Sequence, residues 1–235
     1  PTIRFLSMIG RMRETGDTSG WLERHISLHA HDSQREEWAN AATHGIGAIL
    51  APVGLALLIV RGIESEPLPV VLADALFGLS MVLLYNASTF YHLVRRSDWK
   101  RLLRVFDHMS IYILIAGTYT PLMARIEAPW AGRTLLLVWV LAIAGMAFKL
   151  IFWGRFRVLQ VLFYLGMGWL AVIRIRELLE ILPAALLWSI VVGGLLYTFG
   201  TVVYAMKRLP YYHAVWHLFV LAGSGSFFYG IYRYL

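Results

Sequence analysis

The stretch that decides the fold is residues 184–206, which reads AALLWSIVVGGLLYTFGTVVYAM and contains no charged side chain. A helix of this length, rising about 1.5 Å per residue, is long enough to cross a hydrocarbon core of about 30 Å. Pro183 comes directly before the stretch and Lys207 directly after it. The segment therefore predicts a transmembrane helix with a clear boundary at each end.

Six further apolar segments of about the same length occur along the chain, at residues 40–60, 70–93, 104–124, 134–153, 158–180 and 212–233. The connections between them are short, which favours an up-and-down bundle. Only 15% of the residues are charged, whereas a soluble domain carries about a quarter. We therefore predict an all-α polytopic membrane protein with a seven-transmembrane helix bundle, multi-pass in the cell membrane.

The N-terminal part of the chain is polar, and we predict two regions on that basis. Residues 1–37 form a polar cytoplasmic arm, and residues 38–235 form the seven-helix transmembrane domain. Ser33 followed by Glu36 fits a capping box, which predicts that a helix starts there and runs into the membrane. The function of the arm is left open.

The fifth predicted crossing is the least regular of the seven. Arg174 and Arg176 interrupt the end of the segment 158–180, and we expect their side chains to reach the membrane interface. The turn between the first two crossings is clearer, since Pro67 and Pro69 break the chain before it enters the membrane again.

The distribution of Lys and Arg predicts the orientation. Given seven crossings, 15 of these cations lie on the side of the N-terminus and 6 on the other side. The positive-inside rule then places the N-terminus in the cytoplasm and the C-terminus outside. The net charge of +7 would suggest nucleic acid in a soluble protein. In a membrane protein it indicates basic loops facing anionic lipid, so we expect membrane lipids and no nucleic acid as partners; the oligomeric state is left open.

Inserting an ionisable residue at the middle of a membrane helix costs about 2.5–3.5 kcal/mol of free energy. Each such residue therefore needs a structural or functional explanation. Here they gather in the predicted cytoplasmic half, because helices one, three and seven start there and helix two ends there. The residues concerned are His44 in helix one, Ser88 and His92 in helix two, Asp107 and His108 in helix three, and His213 and His217 in helix seven. The topology brings them to one depth without showing that they meet laterally.

The spacing of His213 and His217 suggests a metal site. They are four residues apart and share one helix face, which is how helices present two imidazoles to one metal. A third His from another helix would complete the pattern of catalytic zinc. The chain has no cysteine, so thiolate ligands are excluded. No Glu follows His213, so the metalloprotease motif is absent, and Asp107 is the carboxylate best placed to act as a base.

Each of these residues also has a structural interpretation. The His pair could be hydrogen-bonded at the interface without metal, and Asp107 could pair with Arg104. Ser88 could donate back to the carbonyl of Leu84, as Ser often does in membrane helices. The convergence of several helices on one depth favours the metal site.

The pattern resembles the hemolysin III family, the bacterial branch of the progestin and adipoQ receptor superfamily, which is related to the alkaline ceramidases. The motifs that carry the resemblance are Glu37-x-x-Asn40-x-x-x-His44, Ser88-x-x-x-His92, Asp107 and His213-x-x-x-His217. The resemblance implies a seven-helix bundle with its N-terminus inside, and zinc held by His92, His213 and His217 with Asp107 and Ser88 beside it.

The resemblance also implies function, in two conflicting directions. The ceramidases imply hydrolysis of lipid amides, whereas the family name implies a pore and cytolysis. The leading hypothesis is a zinc-dependent intramembrane hydrolase of lipid amide or ester bonds. In it Asp107 and Ser88 are catalytic, and His44, Glu37 and Asn40 are supporting or proton-relay groups. The alternatives are a zinc-stabilised membrane sensor or regulator, and a hemolysin-like pore.

Overall fold

The computed structural model describes residues 19–28, 33–94 and 97–235. The remainder of the predicted arm, 1–18 and 29–32, lies outside the described residues, so the division at residue 37 stays a prediction. The described part is helical, with one short 3-10 helix at Leu170–Arg174. The α-helices are α1 (Ser19–His25), α2 (Gln34–Ser65), α3 (Leu68–Leu93), α4 (Asp98–Ala124), α5 (Pro129–Ile151), α6 (Arg157–Gly168), α7 (Ile175–Ile181), α8 (Ala184–Ala205) and α9 (Tyr212–Tyr234).

Six crossings are long and apolar enough to span a bilayer: α2, α3, α5, the unit Arg157–Ile181 that contains α6 and α7, α8 and α9. The remaining crossing is α4, the third in chain order. It has 27 residues, which is also sufficient in length. It is less apolar because charged residues occupy its first turns. Large apolar side chains such as Ile49, Val158 and Ile173 are more than 70% exposed, as expected where lipid replaces water. The predicted all-α, seven-helix membrane fold is confirmed.

The helices begin where local sequence favours a start. Ser33 and Glu36 form the predicted capping box at the start of α2, which satisfies two of its otherwise unpaired N–H groups. The Ser97 side chain accepts from the backbone of Lys100 and caps α4. Pro67 precedes α3 directly, where its missing N–H costs nothing.

Close packing between α2 and α3 depends on glycine. A Cβ added at Gly78 would lie 3.0 Å from the Leu55 Cα atom, and backbone atoms cannot move away as a side chain can. Gly47 faces the ring of Tyr85, which is almost completely buried. Small residues allow membrane helices to approach in this way. The contact holds α2 and α3 side by side, so their ends lie together.

The fifth crossing is broken in its middle. α6 ends at Gly168 and the chain continues as the 3-10 helix before α7 begins at Ile175. The Tyr119 hydroxyl lies 2.7 Å from the Gly168 carbonyl oxygen, to which it donates, and it accepts the Ala171 N–H at 3.0 Å. Non-helical backbone inside a membrane is tolerated where other groups satisfy it. The predicted irregularity of this crossing thus begins before Arg174.

Two arginines connect helices at the end of the bundle where α2 and α4 finish. Arg125, just after α4, donates to both oxygens of Asp74 on α3 at 2.8 Å each. Arg61 on α2 donates to the backbone carbonyl of Ile231 at 3.1 Å and also to that of Tyr232. Cations complement the unpaired carbonyls at a helix C-terminus. Arg61 therefore fastens the last turn of α9 to the first membrane helix.

Candidate metal centre

Three buried histidines from two helices meet at one end of the bundle. His92 lies in the last turn of α3, and His213 and His217 lie in the first two turns of α9. Each offers one nitrogen atom, and these three atoms lie within 4.8 Å of one another. The ring centroids are 4.8 Å apart for His92 and His213 and 4.5 Å apart for His213 and His217. Such a cluster could bind a metal ion.

Hydrogen bonds to Nδ1 orient the ring of His92. Its Nδ1 lies 2.7 Å from Oε2 of Glu37, and the other oxygen of Glu37 accepts from Lys100 Nζ at 2.9 Å. A carboxylate accepts, so Nδ1 of His92 is the donor, and a neutral imidazole that donates from Nδ1 has its lone pair on Nε2. His92 Nε2 is buried and has no hydrogen-bond partner among the described residues.

The ring of His217 is oriented in the same way by a carbonyl. Its Nδ1 lies 3.1 Å from the backbone oxygen of Asn40 and 3.2 Å from Oγ1 of Thr43. The carbonyl can only accept, so His217 also keeps its proton on Nδ1 and presents Nε2. Metal-ligating histidines commonly donate their other ring nitrogen to a carboxylate or backbone carbonyl. Both arrangements occur here, and the residues present fit a metal held by three imidazoles.

Several other residues predicted from the sequence surround the cluster. His44 stacks on His217 with ring centroids 3.5 Å apart. Within the described ranges, the side-chain polar atoms of His44, Asn40 and Ser88 are buried without hydrogen-bond partners. Ser88 therefore does not donate to the Leu84 carbonyl, which was its structural interpretation. Buried polar groups normally find partners, so this concentration of buried polar atoms without partners among the described residues is typical of a ligand-binding site.

Asp107 lies in α4 and faces the same region. Its Oδ2 lies 3.2 Å from Nδ1 of the neighbouring His108. Asp107 is close enough for its charge to act on His92, His213 and His44. Its carboxylate thus comes from a third helix and lies beside the histidines without belonging to the three-His group.

An apolar cavity of about 920 Å³ opens next to the cluster. His44, Asp107, His213 and His217 form part of its wall at one end. Its remaining wall comes mainly from apolar side chains of α4, α6, α8 and α9, and it reaches Leu186 near the opposite end of α8. A cavity of this size lies at the upper end of the range for small-molecule sites. Its length and lining suit an extended hydrocarbon chain.

Sequence reasoning missed two residues that support the cluster. Lys100 reaches Glu37, and Thr43 reaches His217. Thr43 lies three residues after Asn40 and could have been found from helical spacing. The role of Lys100 could not be recognised from the sequence, because a cation near a helix start is a common interfacial residue.

Comparison with known proteins shows the family to which this chain is related. The family described as Haemolysin-III related matches residues 33–228. The chain belongs to this family. The match extends over every haemolysin-III residue described above, from Glu37 to His217, and confirms the resemblance found in the sequence.

Two bacterial relatives and one human relative define how far the similarity of this haemolysin-III protein extends. It is 41% identical over 202 residues to Hemolysin-3 of Bacillus cereus, covering 86% of this chain and 92% of that protein. It is 40% identical over 201 residues to a Hemolysin-3 homolog of Bacillus subtilis, covering 85% and 94%. Human Monocyte to macrophage differentiation factor is 30% identical over 210 residues, covering 85% and 84%.

Proposed function

We propose that this haemolysin-III protein is a zinc-dependent hydrolase of lipid amide or ester bonds within the bilayer. The observation that carries the proposal is the position of the three-His cluster at the end of a long apolar cavity, with Asp107 on the same wall. Zinc bound by His92, His213 and His217 is proposed because all three ligands are imidazoles and the chain has no cysteine. The lipid chain would lie in the cavity and present its acyl carbonyl to the cluster.

The chemistry that zinc supplies in hydrolases is activation of a water molecule and polarisation of the carbonyl under attack. Asp107 would take the proton from the attacking water as the bond from oxygen to the acyl carbon forms. It would return that proton to the leaving nitrogen or oxygen as the acyl bond breaks, which yields a carboxylic acid and an amine or alcohol. Ser88 would orient the water or Asp107, and His44 would support proton transfer.

The two alternative functions require different structural features. A zinc clamp without catalysis is favoured by the way the cluster joins α3 to α9 and, through Glu37 and Asn40, to α2. A clamp needs no cavity, however. A lytic pore needs a polar lumen, whereas the cavity here is lined mainly by apolar side chains. The hydrolase accounts for both the cluster and the cavity.

The test is Asp107→Asn, measured for zinc content, thermal stability and lipid hydrolysis side by side. An amide cannot accept the proton, so we expect the fold and most of the zinc to remain while turnover falls about 10²–10⁴-fold. Asp98→Asn, in the first turn of the same helix, is the matched control and should retain activity. A stable, zinc-loaded and fully active Asp107→Asn protein would exclude Asp107 as the base. No hydrolysis by the unmodified protein across a broad lipid panel would favour the clamp.

A further inference from the structure

A basic cluster borders the cavity at the same end as the histidines. We use this name for Arg104, Lys149, Arg157 and Lys207, which all belong to the cavity wall. Trp153 lies between two of them: Lys149 Nζ is 5.1 Å and Arg104 Cζ is 5.6 Å from the centre of its ring. The cations come from α4, the end of α5, the start of α6 and the segment after α8, so the bundle brings them together.

The positive-inside rule explains only part of this cluster. Arg157 and Lys207 are exposed, as cations at the membrane interface usually are. Arg104 and Lys149, in contrast, are only 6% and 8% exposed. Burying a cation is costly unless an anion accompanies it. A preference for one side of the membrane would be satisfied by exposed residues, so the burial of Lys149 needs another explanation.

Among the described residues, the hydrogen-bond partner of the Lys149 ammonium group is neutral. Its Nζ donates to Oε1 of Gln160 at 2.7 Å, and Gln160 Nε2 donates to the backbone oxygen of Arg155 at 2.9 Å. No carboxylate within the described ranges lies within 4.0 Å of Lys149 Nζ. The charges that act on Lys149 are those of Arg104, Arg157 and the Asp107 carboxylate. The buried ammonium group is thus held in place by an amide, with two cations and one more distant carboxylate acting on it.

We propose that the basic cluster binds the phosphate of an acyl phospholipid whose hydrocarbon chain occupies the apolar cavity. Arg and Lys together suit a phosphate, which accepts several charge-assisted hydrogen bonds. The cavity continues from the cluster through mainly apolar side chains, which a free phosphate ion would leave unused. If the proposed hydrolase function holds, its substrate carries an anionic headgroup; binding of the phospholipid does not depend on that function.

Binding is tested with ether-linked probes, which contain no acyl bond and so cannot be hydrolysed. The zinc-loaded protein in maltoside detergent, which carries no phosphate, is titrated with a 1-alkyl lysophosphatidate, with the matching neutral 1-alkyl glycerol and with inorganic phosphate. We expect the lysophosphatidate to bind about tenfold or more tightly than the alkyl glycerol, because its phosphate adds charge-assisted hydrogen bonds to the apolar contacts that both lipids make. Equal affinity of the two lipids, or equal affinity of lysophosphatidate and inorganic phosphate, would overturn the proposal.

Variants of Lys149 separate binding from folding. Lys149→Gln should remove most of the preference for lysophosphatidate and leave alkyl glycerol binding unchanged, and Lys149→Arg should restore the preference. Arg155→Gln is the matched control, since Arg155 is exposed and does not line the cavity. Zinc content and thermal stability are measured on each variant. An unchanged preference in a folded Lys149→Gln protein would also overturn the proposal, whereas absence of lipid hydrolysis would bear only on the hydrolase.

Discussion

Glu37 has a central position in the site, because its two carboxylate oxygens serve two different side chains. One oxygen accepts from His92 and the other from Lys100, at 2.7 Å and 2.9 Å. The interaction with Lys100 holds the carboxylate, and the carboxylate in turn fixes the ring of His92. The orientation of His92, a proposed metal ligand, therefore depends on a residue outside the three-His group.

Replacing Glu37 tests this support directly. In Glu37→Gln the side chain keeps its size but loses the charge that would make His92 a stronger ligand for the proposed zinc. We expect zinc affinity to fall roughly 10–100-fold, the usual loss when such a partner is removed. Competition with a chelator measures the affinity. Glu64→Gln, an exposed position on the same helix, is the control, and equal affinities in the two variants would contradict the role of Glu37.

Metal content tests the ligands themselves. We expect about one zinc per chain in the purified protein and almost none in His213→Ala, measured by elemental analysis. His25→Ala, at an exposed position on α1, should keep its zinc. Only neutral imidazole binds metal, so the bound zinc should decrease as the pH falls and the histidines take up protons. Equal zinc in His213→Ala and the unmodified chain would refute the assignment.

The sequence was sufficient to propose the metal ligands but not their supporting contacts. His213 and His217 share a face by spacing alone, and the depth of His92 follows from the order of the helices. The contacts of Lys100 with Glu37 and of Thr43 with His217 depend on how the helices pack laterally. The hydropathy pattern carries no information about lateral packing. The catalytic roles given to Asp107 and Ser88 stay predictions.

At the scale of the helices, the close approach of α2 and α3 positions the site. Their contact at Gly78 and Leu55 leaves no room for a methyl group. We expect Gly78→Ala to lower the free energy of unfolding by about 1–3 kcal/mol, the usual cost of overpacking. Thermal unfolding in detergent measures the effect. Gly132→Ala is the control, because a Cβ at Gly132 meets nothing within 4 Å. Equal stability of the two variants would contradict this packing.

The positions of the crossings followed from apolar segments bounded by Pro and charged residues, and each predicted segment lies within or overlaps a helix of the structure. The break in the fifth crossing was predicted only as an irregular end. Its position depends on Tyr119 of α4, whose hydroxyl satisfies the backbone around Gly168. A partner on another helix cannot be identified from the apolar pattern of the broken segment.

At the scale of the whole molecule, the orientation in the membrane stays a prediction. The bias of 15 to 6 in Lys and Arg places the N-terminus, the three-His cluster and the basic cluster on the cytoplasmic side. Reporter fusions at the two termini test it, and we expect a cytoplasmic signal at the N-terminus and an external signal at the C-terminus. Signals from the same side at both ends would contradict an odd number of crossings.

The contact of Arg61 with the last turn of α9 has a consequence for biosynthesis. The ribosome makes α2 and α3 well before α9, so Arg61 and His92 are in place before their partners on α9 exist. During translation His92 first has neighbours on α2, α3 and α4, such as Glu37 and Tyr91, and the three-His cluster assembles when α9 enters the bilayer and Arg61 binds its last turn. The proposed loading with metal therefore requires α9, because a nascent chain that stops in α8 lacks His213 and His217.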